Sequence, residues 1–184
     1  MPGCATFVLP ITRTARSNPV IKQLERAARL RPGDSSNAKL DKLEGLLRQS
    51  GSDSTDAVPL LAELLSIDTA GRYAPHGLSP QARKSHTLRT LVQLLAGLAA
   101  RRPVAMIFED IHWADPTTRE WLDMLIDTLR NLPLFLVIVF RPRVPAPMVA
   151  LFIRHPFAAR PPSAVSKGRR SLIGWRAKKP CPRS

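Results

Sequence analysis

Between Asn18 and Phe140 the chain sets leucine-rich stripes at helical spacing beside two short runs that hold no polar residue. Pro19 predicts the start of a first helix, with Val20, Ile21, Leu24, Ala27, Ala28 and Leu30 on one stripe and Pro32-Gly33 as its stop. A second stripe of Leu40, Leu43, Leu46 and Leu47 ends at Gly51. Ser54 or Thr55 is placed to cap a third, short helix carrying Leu60, Leu61, Leu64 and Leu65, and residues 73–77 then read as a loop. Ser79-Pro80 is a stronger start, an N-cap serine with proline at the first helical position. It introduces Leu88, Leu91, Val92, Leu94, Leu95 and Leu98, and Arg101 and Arg102 put cations at the terminus where the helix dipole is negative.

The two apolar runs, Val104 to Phe108 and Leu134 to Phe140, have the composition of parallel strands buried on both faces. Between them Asp115 is placed to cap a helix that Pro116 begins and that faces inward through Trp121, Leu122, Leu125, Ile126 and Leu129. Strand, helix and parallel strand make the right-handed crossover from which doubly wound nucleotide-binding folds are assembled. Ala5 to Leu9 is apolar enough to add a strand beside Val104 to Phe108. The expected architecture is therefore α/β: a partial parallel sheet of two or three strands, several helices, and a disordered basic tail. Three regions result: an atypical segment 1–17, a partial domain 18–142, and a proline-rich tail 143–184.

Charge changes this picture less than its total suggests. The net charge is +14, yet all 14 acids lie between Glu25 and Asp127, and ten of the 28 basic residues fall after Pro142 with no acid among them. Without that tail 18 basic residues face 14 acidic ones, so the excess belongs to the tail. A nucleic-acid-binding protein acting through Lys167, Arg169, Arg170, Arg176, Lys178 and Lys179 is the alternative reading; only Trp175 lies near for stacking, and no reading motif accompanies the cluster. Cys4 and Cys181 stand at opposite ends, without the spacing of a zinc knuckle or a disulfide scaffold, which leaves a reduced cytoplasm as the expectation. The longest apolar run, Leu132 to Phe140, falls well short of the ~20 residues of a membrane helix, so neither a span nor a membrane partner is expected.

The chemistry concentrates where the first apolar run ends. Val104-Ala105-Met106-Ile107-Phe108 leads directly into Glu109-Asp110, the pattern of a Walker B motif. Carboxylates at the carboxyl end of a parallel strand open onto the ligand crevice, where they can hold magnesium through water and orient a water toward a γ-phosphate. The string continues as Ile111-His112-Trp113-Ala114-Asp115-Pro116-Thr117. From Phe108 to Thr117 it resembles the Walker B region of signal-transduction ATPases related to AAA proteins, found in large transcriptional regulators and beside class III adenylate cyclase domains. Residues 19–28, 57–62 and 79–81 are also similar to the bacterial cyclase-linked group, so the likeness spans about residues 18–142.

The resemblance implies that Glu109 and Asp110 serve metal coordination and water activation, with ATP and magnesium as the family's ligands. The usual order in P-loop enzymes is Asp then Glu, so the two roles stay undivided between this reversed pair. Arg141, directly after the second strand, resembles the family's sensor position, where a cation meets the γ-phosphate. His112 and Trp113 read as residues that place the loop, with a catalytic role for His112 as the lesser alternative.

A phosphate-binding loop requires G-x-x-x-x-G-K-S/T, because small residues let backbone amides cradle phosphate oxygens while lysine neutralises them. No Gly-Lys pair occurs anywhere in this chain. The expectation is a truncated ATPase module lacking parts of its domain, with poor nucleotide affinity and no ATP turnover alone. The competing view is a small ATPase that borrows a phosphate loop from a partner chain.

Both ends also fit a shifted reading frame. Residues 4–14 can be encoded so that a neighbouring frame spells Arg-Tyr-Phe-Cys-Ser-Pro-His-His-Gln-Asp, and residues 143–149 so that another spells Glu-Phe-Gln-Pro-Pro-Trp. Both strings resemble the family at those places.

Overall fold

The computed structural model describes residues 5–10, 18–51, 54–69, 71–74, 76–128, 133–140 and 171–176. They belong to two compact units, residues 20–101 on one hand and residues 1–19 with 102–184 on the other.

The first unit is helical. α1 (Pro19–Ala27) begins at the proline that the sequence pointed to and buries Val20 and Leu24. Ala28 is buried just beyond it, and Arg29 turns the chain with φ 56°. α2 (Ser36–Ser50) is capped by Ser35, whose hydroxyl accepts the Ala38 N–H, and ends at Gly51 in the left-handed region (φ 73°), where its N–H donates to the Arg48 carbonyl. Leu40, Leu43 and Leu47 are fully enclosed.

α3 spans Ser54–Leu64, so Ser54 and Thr55 lie within the helix rather than ahead of it, and Pro59 sits inside it. α4 (Pro80–Arg101) starts as expected, the Ser79 hydroxyl accepting the Ala82 N–H at 3.3 Å. The loop after α3 is tied to α2 by Arg72, which bridges Asp41 and Glu44 at 2.7 Å each, and by the Tyr73 hydroxyl, which donates to Glu44 at 2.7 Å.

The second unit is a four-stranded sheet in the order β1-β2-β3-β4 with one described helix. β1 (Ala5–Pro10), β2 (Val104–Glu109) and β3 (Leu134–Phe140) run parallel, Ala5 opposite Val104 and Val104 opposite Leu134. α5 (Pro116–Thr128) connects β2 to β3.

β1, β2 and β3 are the parallel strands that the sequence predicted, and β4 (Ser171–Arg176) from within the tail pairs antiparallel with β3 at their edge. The rest of the tail, including the basic cluster other than Arg176, lies outside the described residues. The central strands, moreover, are not buried equally on both faces. Val104, Met106 and Phe108 are enclosed together with their register partners Leu134, Leu136 and Ile138, whereas Ala105, Ile107 and Val137 are half-covered and Phe135 is 42% exposed. An unbroken apolar run cannot reveal this, because its composition is the same on both faces.

Among the described residues no helix is long and apolar enough to cross a membrane.

Candidate functional site

Three parallel strands bring their carboxyl ends to one edge of the sheet, and the middle one, β2, ends in Glu109 with Asp110 next in the chain. The register sets Pro10 of β1 beside Glu109. Ligands in open α/β sheets bind outside such an edge.

Asp110 makes the turn off the strand. Its backbone is left-handed (φ 53°, ψ 42°), a conformation that costs a residue with a Cβ about 1 kcal/mol and that Asp and Asn tolerate better than most. The turn lets the Asp110 carbonyl accept the Trp113 N–H at 3.0 Å and start a 3-10 turn over Ile111–Trp113, closed by the Ala114 N–H on the Ile111 carbonyl at 2.9 Å. Ile111 is fully enclosed and anchors this loop. Trp113, expected to help place the loop, is 42% exposed. The side chain of His112 lies outside the described residues.

The Asp110 carboxylate is the unusual group. Its Oδ1 is shut off from solvent and accepts no hydrogen bond from any described residue. A buried acceptor without a donor costs about 1–3 kcal/mol, and more when charged, so it requires an explanation. A hydrated divalent cation supplies one, since its waters donate and its charge opposes the carboxylate. Magnesium binds through one or two carboxylates and keeps several waters. Glu109 and Asp110 fit that mode, and among the described residues no group of three or more His, Cys, Asp or Glu gathers to offer another. A triphosphate fits less well, because the sequence lacks the glycine-rich, lysine-bearing cradle.

Asp115 fixes the far side of the loop. Its Oδ1 accepts the backbone N–H groups of Thr117 and Thr118 at 2.9 Å each, and its Oδ2 accepts the Thr118 hydroxyl at 2.6 Å. Asn18 Nδ2 donates to the same Oδ2 at 3.4 Å and to Thr118 Oγ1 at 3.3 Å, joining positions 97 and 100 residues apart. Burial pushes the Asp115 carboxyl upward, but the Thr118 hydroxyl and the backbone N–H donors outweigh it and hold the group below its ordinary value.

The capping role of Asp115 was legible from Asp115-Pro116, whereas Asn18 was not found by sequence reasoning. Its only local sign is that it precedes Pro19, and nothing local points to a partner on α5. Behind the loop the Trp121 ring meets Phe108 at 6.1 Å between centroids and 54° between planes. The Trp121 Nε1–H is buried without an acceptor among the described residues.

Glu109, the last residue of β2, and Asp110, next in the chain, thus both stand at the rim. Arg141, the expected cation from the neighbouring strand, follows the last residue of β3 and lies outside the described residues.

A family model described as an AAA ATPase domain matches residues 6–138. An uncharacterized protein of Rhizobium meliloti (strain 1021) is 33% identical over 63 residues, a stretch that covers 34% of this chain and 6% of that protein. The chain therefore spans a small part of the length of the relative it matches. No solved structure matches it.

Proposed function

The chain belongs to the AAA ATPase domain family, and from that premise we propose that it supplies the metal-and-water half of an ATP site and does not turn over ATP by itself. The observation that carries the reading is the strained Asp110 at the end of β2, with an enclosed oxygen that no donor among the described residues satisfies. Backbone strain and an unpaired buried acceptor at one residue are costs that persist where a bound ligand relieves them.

In this reading Glu109 and Asp110 hold hydrated magnesium and orient a water, and Arg141 meets the terminal phosphate from the next strand. The metal would supply charge neutralisation at the phosphates. The chain's own contribution is positional: β2 fixes the carboxylates in a dry sheet, Ile111 anchors the loop, and Asp115 with Asn18 holds the start of α5.

Hydrolysis further requires a phosphate cradle, and no Gly-Lys pair is present to make one. Without magnesium between them, two carboxylates facing a triphosphate repel it. We place the module in a signalling protein of the cytoplasm, of the kind in which an ATPase domain regulates nucleotide cyclisation or transcription, its nucleotide state switching a multidomain arrangement. The termini are proposed to derive from shifted reading frames. The coding DNA tests this, since it requires codons ending in T for Ala5 and Thr6 and CGA for Arg143.

Turnover tests the functional reading. The purified chain with ATP and magnesium should release phosphate no faster than buffer. Magnesium-dependent release that disappears in Asp110→Asn would reject the reading.

A further inference from the structure

Two polar groups beside the loop after β2 are enclosed and unsatisfied among the described residues: Asp110 Oδ1, an acceptor, and Trp121 Nε1–H, a donor. Trp121 as a whole is only 4% exposed. Buried polar groups of this kind are rare and costly, so an acceptor and a donor orphaned near each other point to one partner that serves both.

The elements set the two groups at neighbouring depths. A strand rises about 3.3 Å per residue, which puts Asp110 roughly 7 Å beyond Phe108 toward the rim. α5 begins at that rim, where Asp115 caps it, and the five steps from Pro116 to Trp121 descend about 7.5 Å. Trp121 is therefore level with Phe108, as the ring contact between them shows. It lies one turn below Thr118 on the buried stripe of α5, and the Thr118 hydroxyl donates to Asp115. Arg119 also has an enclosed, unsatisfied Nε, but it stands about 200° round the helix from Trp121 and leaves that stripe.

No direct bond joins Asp110 Oδ1 to the indole. A single water matches both, its oxygen accepting the indole N–H and one of its hydrogens going to the carboxylate. Internal waters are typically held by about three hydrogen bonds, and the enclosed side chains of Phe108 and Ile111 have no polar group to add. A hydrated cation on the carboxylates supplies the third, because its own waters donate outward. The carboxylate oxygen has lone pairs for both the bridging water and a water of the cation.

Resting on the magnesium reading of Glu109 and Asp110, we propose that Trp121 is a positioning residue for that site. Its indole N–H holds an outer water of the hydrated cation against Asp110 Oδ1 and so fixes the carboxylate for the metal.

Magnesium titration of the isotope-labelled full chain, followed by nuclear magnetic resonance, tests this. The Trp121 indole resonance, identified by its loss in Trp121→Phe, should shift as magnesium is added and then show cross-relaxation with a bound water. Neither should occur in Asp110→Ala. Trp121→Phe keeps a ring beside Phe108 but no N–H, and by calorimetry it should bind magnesium about tenfold more weakly, as loss of one hydrogen bond to a charged group does. A role in packing alone would lower the melting temperature of Trp121→Phe and leave its magnesium affinity at the parent's value. That result overturns the inference and leaves the metal reading standing. So does a Trp121 resonance that stays still while magnesium raises the parent's melting temperature. Magnesium that neither binds nor raises the melting temperature overturns both.

Discussion

Gly97 of α4 lies so close to Ser50 of α2 that a Cβ built on it would stand 1.8 Å from the Ser50 carbonyl oxygen and 2.7 Å from its carbonyl carbon. Both atoms are backbone, so neither can rotate away. Ser50 is itself buried and donates its hydroxyl to the Leu47 carbonyl at 2.7 Å. The glycine, which costs a helix interior about 1 kcal/mol relative to alanine, is required by the approach of the two helices.

Gly97→Ala should therefore destabilise the chain by about 1–3 kcal/mol, the range for overpacking, despite the better helix propensity of alanine. Gly45 lies in α2 with nothing within 4 Å of its virtual Cβ. Gly45→Ala should stabilise by about 0.5–1 kcal/mol. Urea unfolding of both variants checks the opposite signs.

Asp115 gives stability a dependence on acid pH. Its folded carboxyl titrates below the ordinary 3.8, so its contribution is complete above that value and is lost as pH falls through the lower folded value. Asp115→Asn keeps the cap without the titration and should flatten this acid limb. Asp115→Ala should cost about 1–2 kcal/mol at neutral pH. Thermal melts across the acid range, compared among the three proteins, read both effects.

Asp110→Gly removes a Cβ from a left-handed position and an unpaired buried oxygen together. It should raise stability by about 1 kcal/mol or more in the absence of metal. Added magnesium should not protect this variant, while it should raise the melting temperature of the parent chain. Melts with and without magnesium provide the comparison.

What the sequence disclosed depended on how local the cause was. Ser79-Pro80 and Asp115-Pro116 mark helix starts because a cap and an N1 proline act within one turn, and α4 and α5 begin there. β1 was legible as an apolar segment. The one-sided burial of β2 and β3 was not, because it depends on what covers each face. β4 was hidden in a proline- and arginine-rich tail, where its pairing with β3 is a tertiary event and Gly174 weakens the local strand preference. At the site, the Glu109-Asp110 pair stood out by its place after an apolar run. The left-handed turn at Asp110, its enclosed oxygen and the Asn18 contact with α5 depend on the assembled unit, and no spacing encodes them.

The most direct test of the central claim is a calorimetric titration of the purified chain with ATP and magnesium. Carboxylates without a phosphate cradle predict a Kd no tighter than about 1 mM. A Kd near or below about 1 μM would contradict the account.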